Sequence, residues 1–287
     1  VKIRAPAKIN LRLKVVGRRA DGYHLLDTII VPVSLYDKIE IRRLRRGATP
    51  RAVVAAIEIR CDHPEVPLGR ENIVHRAAEL IMHASGIAEP IAIHIKKSIP
   101  VGAGLGGGSS DAAATLRGID RLFALALSSR RLEQMALALG ADVPFFIRSR
   151  PARARGIGEI LQPFVGPRFW AVIIYPGFPV ASAWAYGKMR GKLTKIVADT
   201  SIAASPKTFD ELPNLLENDL EGVTLKHYPK IAVLKEKLLR AGAPGVLMSG
   251  SGSSVFGIFA SRQAASNVYN KLRQEEGAQA FLVHGLR

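Results

Sequence analysis

The sequence predicts an α+β sandwich of the split-βαβ kind. Three observations carry this. Apolar and polar residues alternate through much of the first 60 residues, helix-period stretches then interleave with strand-length apolar runs, and one helical stretch opens directly behind a glycine-rich loop. With 287 residues, 48% of them hydrophobic, the chain can bury the core of one large domain or two ordinary ones.

Ile3, Ala5, Ala7, Ile9, Leu11, Leu13 and Val15 recur at every second position, a strand pattern rather than a signal-peptide core. Asp21-Gly22 marks a turn. Strands are expected at Asp27–Val33, at Lys38–Arg43 and, pairing with the latter, at Val53–Ile59. Helical spacing covers Asn72–Ser85 through Ile73, Ala77, Leu80, Ile81 and Ala84, and a strand carries Ile91, Ile93 and Ile95. Ala112, Ala113, Leu116, Ile119, Leu122 and Phe123 share one helical face, and a second helix spans Ser129–Leu139. Val143–Ile147 reads as a short apolar strand, and Ala154–Leu161 as a strand or loop that closes the first half. From about residue 160 the order is strand (Ala171–Tyr175), helix (Ser182–Arg190), a polar stretch, helix (Ile231–Arg240), strand (Gly245–Met248), small-residue loop, strand (Val255–Ala260), helix (Arg262–Glu275) and strand (Ala280–Val283). The expected domains are residues 1–159 and 160–287, with the weakest patterning, and expected mobility, in 191–215.

The net charge of +17 favours anionic partners, but its distribution matters more than its size. The clusters at Arg42–Arg46, Ser129–Arg131 and Arg148–Arg155 lack the spaced aromatics of a single-strand stacking platform, so a solvated basic surface is expected rather than nucleic-acid binding. A single cysteine, Cys61, excludes an internal disulfide framework and a cysteine-based zinc site, and fits a reducing cytoplasm. No apolar run approaches the ~20 residues of a membrane helix.

The chemistry concentrates in Pro100-Val101-Gly102-Ala103-Gly104-Leu105-Gly106-Gly107-Gly108-Ser109-Ser110. Glycine admits positive φ and close approach of backbone N–H groups to a ligand. A helix start behind such a loop supplies unpaired donors and the positive end of a dipole, which together suit a phosphate. The loop lacks the lysine of a Walker A motif. It matches the bare dinucleotide fingerprint at Gly102, Gly104 and Gly107, but the acidic residue near the expected distance, Asp120, lies inside a helix followed by another helix. The later motifs of a protein kinase are missing too. Ser109 and Ser110 can cap the helix or reach phosphate or magnesium, and Lys97 is a further candidate contact for the nucleotide.

The full string from Pro100 to Ala113 resembles the second motif of the GHMP kinases, the family of galactokinase, homoserine kinase, mevalonate kinase and phosphomevalonate kinase. Pro6-Ala7-Lys8-Ile9-Asn10-Leu11 is similar to the family's N-terminal motif, and Ser249–Phe256 to its C-terminal one. The resemblance implies a two-domain GHMP kinase fold, with an N-terminal domain like ribosomal protein S5 domain 2 and a ferredoxin-like C-terminal domain. It implies ATP and Mg²⁺ as cofactors, with Pro100 to Ser110 as the ATP-binding segment, and leaves the magnesium ligands open. Arg19–His24, Leu139–Phe146 and Gly156–Glu159 narrow the resemblance to the branch that phosphorylates the 2-hydroxyl of a cytidyl diphospho-methylerythritol on the non-mevalonate route to isoprenoid precursors. The partner implied is thus a small molecule. A cytoplasmic monomer or weak homodimer is expected, with no nucleic acid and no membrane.

Taken alone, Asp142 reads as a turn or cap residue and Lys8 as an exposed strand residue on the face opposite Ala7 and Ile9. The resemblance makes Asp142 the catalytic base, with Lys8 beside it holding the carboxylate ionised and favouring the incipient alkoxide. Asn10, on the face of Lys8, becomes a hydrogen-bonding partner of the polyol. Tyr23 and His24 gain cytosine recognition, one by stacking and one by hydrogen bonding. Tyr186 is the expected second stacking partner, with Trp184 the alternative. Gly250, Ser251 and Gly252 would close over the reacting phosphates or the substrate diphosphate, although the residues alone describe only a flexible turn. Two departures from the family pattern are the basic segment Arg148–Arg155 and the lack of an aromatic in Thr28–Pro32.

Overall fold

The computed structural model describes residues 1–44, 57–189, 205–275 and 277–287. The parts of the expected elements that fall on Arg45–Arg46, Val53–Ala56, Arg190 and 191–204 lie outside the described residues. The chain forms two compact units that interleave along the sequence. One takes residues 1–7, 36–99 and 106–149, the other residues 8–35, 100–105 and 150–287. Two long strands, β1 (Lys2–Arg18) and β2 (His24–Arg43), contribute to both. The runs expected as separate strands at Asp27–Val33 and Lys38–Arg43 are therefore one element.

In the first unit, β4 (Ile91–Lys96) pairs antiparallel with residues 38–43 of β2 and parallel with β3 (Ile57–Cys61). Four helices follow from local signals: α1 (Ile73–Ala84), α2 (Gly107–Phe123), α3 (Ser129–Leu139) and α4 (Val143–Arg148). Asn72 caps α1 by accepting from Val74 N at 2.8 Å, and Ser128 caps α3 by accepting from Arg131 N at 3.2 Å. The run Val143–Ile147, expected as a strand, is helical. All five side chains are buried, so no alternation distinguishes a strand from a wholly buried helix, and Pro144 sits in the first turn, where its missing N–H costs nothing.

The second unit holds an antiparallel sheet in the order β11-β7-β10-β9, formed by Gln279–His284, Trp170–Tyr175, Val255–Phe259 and Gly245–Met248. With strands ranked by chain order this is 4-1-3-2, the ferredoxin-like arrangement. Its core contains Val172, Ile174, Val255, Phe259 and, from the helix α7 (Pro229–Arg240), Leu234 and Leu238. The helices α5 (Ser182–Lys188), α6 (Glu221–His227) and α8 (Arg262–Leu272) complete it. The segment that closes the first half is a hairpin, β5 (Ala152–Gly156) with β6 (Ile160–Pro163), and β5 pairs with residues 26–30 of β2. A two-residue strand, β8 (Glu217–Asn218), runs parallel to β1 at Arg12 and Leu13.

Candidate active site

In the second unit the glycine segment turns through positive φ at Gly102 (64°) and Gly104 (76°). Four successive carbonyls are engaged by protein: Gly102 O by Val180 N, Ala103 O by Ser254 N, Gly104 O by Ser249 Oγ, and Leu105 O by Lys8 N, at 2.9 to 3.1 Å. A Cβ at Gly104 would stand 2.1 Å from the Ser249 carbonyl oxygen, so only glycine lets these two loops meet.

The loop Ser249–Ser254 is buried throughout, which corrects the picture of a flexible turn. Asn218 Nδ2 donates to Met248 O and Gly250 O at 2.8 Å, Ser253 Oγ donates to Phe178 O, Thr224 Oγ1 donates to Ser251 O, and the Ser251 and Ser182 hydroxyls lie 3.0 Å apart. Gly250 and Lys8 are brought together: a Cβ at Gly250 would lie 3.0 Å from Lys8 Nζ.

Lys8 is 5% exposed, not the solvated residue that simple alternation describes. The stretch Ala5–Leu11 is buried on both faces of β1. Lys8 Nζ donates to Asn10 Oδ1 at 2.5 Å, and Asn10 Nδ2 donates to Thr28 Oγ1 at 2.9 Å. At the start of β2, the His24 and Tyr186 rings stack at 5.2 Å and 27°. Burial, then the Arg18 charge, lowers the His24 pKa, keeping the imidazole neutral near neutral pH. Tyr23, after the Asp21 turn, is 58% exposed and presents an open ring. Trp184 belongs to a different cluster, with its ring 4.7 Å from His227 and 5.3 Å from Tyr228. The structure thus separates the two candidate stacking residues and joins Tyr186 to His24.

In the first unit Lys97 lies between two buried carboxylates, not in solvent. Its Nζ donates to Asp37 Oδ2 at 2.5 Å and to Asp111 Oδ2 at 2.8 Å. Asp37 Oδ1 also accepts from the N–H groups of Ser98 (2.6 Å) and Ile99 (2.8 Å). Burial raises the Asp111 pKa to about 8, against the pull of Lys97 and with help from the Asp37 carboxylate. Lys97 is shifted upward: burial opposes its charge, and the two carboxylates outweigh burial. A left-handed Gly106, with no side-chain cap, starts α2, so Ser109 and Ser110 are its third and fourth residues rather than its cap. Ser110 is 1% exposed, and its Oγ has no hydrogen-bond partner among the described residues. Asp142 precedes α4 without capping it by its side chain.

Sequence reasoning missed Asp37, Asp111, Thr28 and Asn218. Asp37 did leave a signal, being in phase with the inward Ile39 and Ile41 of an alternating strand. Asn218 left none, because a two-residue strand has no periodicity. The basic segment is only partly solvated: Arg148 forms an ion pair with Glu133 at 2.5 Å, whereas Arg153 Nε and Nη2 grip the buried Asp27 at 2.7 and 2.5 Å.

These features fit a phosphoryl-transfer enzyme, and comparison with known proteins agrees. The GHMP kinases N terminal domain matches residues 72–150 and the GHMP kinases C terminal domain residues 201–279. The chain is 45% identical to the 4-diphosphocytidyl-2-C-methyl-D-erythritol kinase of Syntrophotalea carbinolica, over 97% of this chain and 96% of that relative. A crystal structure of 4-(cytidine 5'-diphospho)-2C-methyl-D-erythritol kinase superposes with a TM-score of 0.81 at 35% identity, covering all of both chains. The Methanococcus jannaschii mevalonate kinase shares the fold, with a TM-score of 0.73 at 15% identity, over 100% of this chain and 98% of that one. The chain belongs to the GHMP kinase family and has its α+β fold.

Proposed function

We infer that this enzyme transfers the γ-phosphoryl group of ATP to the 2-hydroxyl of 4-diphosphocytidyl-2-C-methyl-D-erythritol. The observation that carries the choice of acceptor is the stacked His24–Tyr186 pair, with the exposed Tyr23 next to His24 in the chain, aromatic surface that a nucleobase needs and homoserine or mevalonate does not.

Phosphoryl transfer is mostly positioning and charge stabilisation. The engaged carbonyls of Gly102 to Leu105 leave the N–H groups of Val101–Ser109 as the natural phosphate donors, Pro100 having none and that of Ser110 being given to Gly106 O. The orphaned Ser110 hydroxyl fits a phosphate or a hard cation, and magnesium bound with ATP would neutralise phosphate charge. Among the described residues no cluster of three or more His, Cys, Asp or Glu forms a separate metal site. Lys97 steadies the stem of the nucleotide segment through Asp37 and Asp111. Asp142, whose carboxylate is not spent on a cap, accepts the proton of the attacking hydroxyl. Lys8 favours the developing alkoxide, Asn10 holds the polyol, and Gly250 flanks the ammonium. Residues 1–159 and 160–287 form the two functional domains, and the two matched family segments fall on either side of that boundary. A single cysteine suits a cytoplasmic enzyme.

Asp142→Asn tests the assignment of the base. Turnover should vanish while ATP affinity stays near that of the wild type, and retained turnover would remove Asp142 from the mechanism.

A further inference from the structure

Thr28, on β2, is 2% exposed, and its hydroxyl lies 2.6 Å from the Arg12 carbonyl oxygen. A carbonyl only accepts, so the single hydroxyl proton of Thr28 is committed to Arg12. The remaining lone pairs of Oγ1 can only accept, and the group 2.9 Å away is the Asn10 amide. Asn10 must therefore turn its NH₂ toward Thr28. Its other end, Oδ1, then faces Lys8 Nζ at 2.5 Å, and an ammonium only donates. Each of the three bonds in this buried line runs from a donor to an acceptor, and the line has one sense. A flipped amide would set NH₂ against NH₃⁺ and leave Oδ1 against an oxygen whose proton is already given.

We propose that Thr28 is a positioning residue for phosphoryl transfer: it locks the Asn10 amide so that its carbonyl oxygen aims the Lys8 ammonium. Positions 8, 10 and 12 lie on one face of β1, with β2 as the neighbouring strand. The β-branched Thr28 is stiff about χ1, and its bond to Arg12 ties the line to the sheet backbone. Valine keeps the shape of threonine but offers no oxygen. The proposal rests on the reading of Lys8 as a catalytic cation.

The test is steady-state kinetics of Thr28→Val, Thr28→Ser and Asn10→Ala, with Thr28→Val repeated in the Asn10→Ala background. Thr28→Val should lower kcat about tenfold, the scale of one buried hydrogen bond, while KM for both substrates changes less than about twofold. Thr28→Ser should restore most of kcat. In the Asn10→Ala background Thr28→Val should cost nothing further, because its partner is already gone. If valine perturbs folding, as read by urea unfolding, Thr28→Ala carries the same expectations. A wild-type kcat in Thr28→Val, or an undiminished loss in the Asn10→Ala background, would overturn the proposal. Lys8→Met separates the two readings. If it keeps wild-type kcat, the catalytic reading of Lys8 fails. If it collapses kcat while Thr28→Val does not, only the role of Thr28 fails.

Discussion

Two carboxyl groups contact Lys97 at similar distances, yet replacing each with an amide should have opposite consequences. Asp37 accepts three hydrogen bonds, from Lys97 Nζ, Ser98 N and Ile99 N. Among the described residues Asp111 accepts from Lys97 alone and leaves Oδ1 unpartnered, and burial pushes its pKa up to about 8. Near neutral pH Asp111 holds a proton, so Asp111→Asn replaces a neutral acid with a neutral amide of the same shape: it should change stability by less than about 1 kcal/mol below pH 3.8, where folded and unfolded chains are both protonated, and should stabilise the protein at pH 7. Asp37→Asn strands the buried ammonium and should cost about 3–5 kcal/mol. The pH dependence follows from the raised pKa. Between its unfolded value of 3.8 and its folded value of about 8, Asp111 is protonated in the folded protein and ionised in the unfolded chain. Wild-type stability from this group is full below the lower value and is lost as pH rises through the upper one. The stability of Asp111→Asn relative to wild type should therefore climb with pH, by up to about 1.4 kcal/mol per unit within that window. Urea unfolding followed by circular dichroism at pH 5.5 and 7.5 measures it. An unchanged difference at the two pH values, or an Asp111→Asn cost equal to that of Asp37→Asn, would refute the reasoning.

Tyr186→Ala should raise KM for the cytidyl substrate roughly tenfold, the scale of one base–aromatic stack, and leave KM for ATP unchanged, whereas Trp184→Ala should spare both; initial-rate kinetics decide. Because burial lowers the His24 pKa, that KM should stay flat from mildly alkaline to neutral pH and rise only below the ordinary histidine value of 6.5, as the imidazole gains a proton; a rise already at neutral pH would contradict it. Gly104→Ala forces a Cβ to 2.1 Å from the Ser249 carbonyl at positive φ, so it should lower the unfolding midpoint as well as kcat, while Gly187→Ala, where a Cβ meets nothing within 4 Å, should do neither.

The helices and the second-half sheet were legible because their apolar periods are intact and their caps sit where sequence puts them, as at Asn72 and Ser128. Val143–Ile147 was misread because burial on every side erases the period that separates helix from strand. Lys8 was misread for a related reason: alternation assigns a face, but β1 is covered on both faces there. The candidate site was visible only where local motifs mark it. Its supports, such as Asp37 reaching Ser98, Asn218 reaching Gly250 and Thr28 reaching Asn10, join residues far apart in the chain, and their geometry exists only after folding.

The central claim is the identity of the acceptor. The most direct measurement is ATP-dependent ADP release by the purified wild-type enzyme against 4-diphosphocytidyl-2-C-methyl-D-erythritol, homoserine and mevalonate. Turnover with the cytidyl compound alone, yielding its 2-phosphate, is the predicted result. Turnover of homoserine or mevalonate without the cytidyl compound would contradict it.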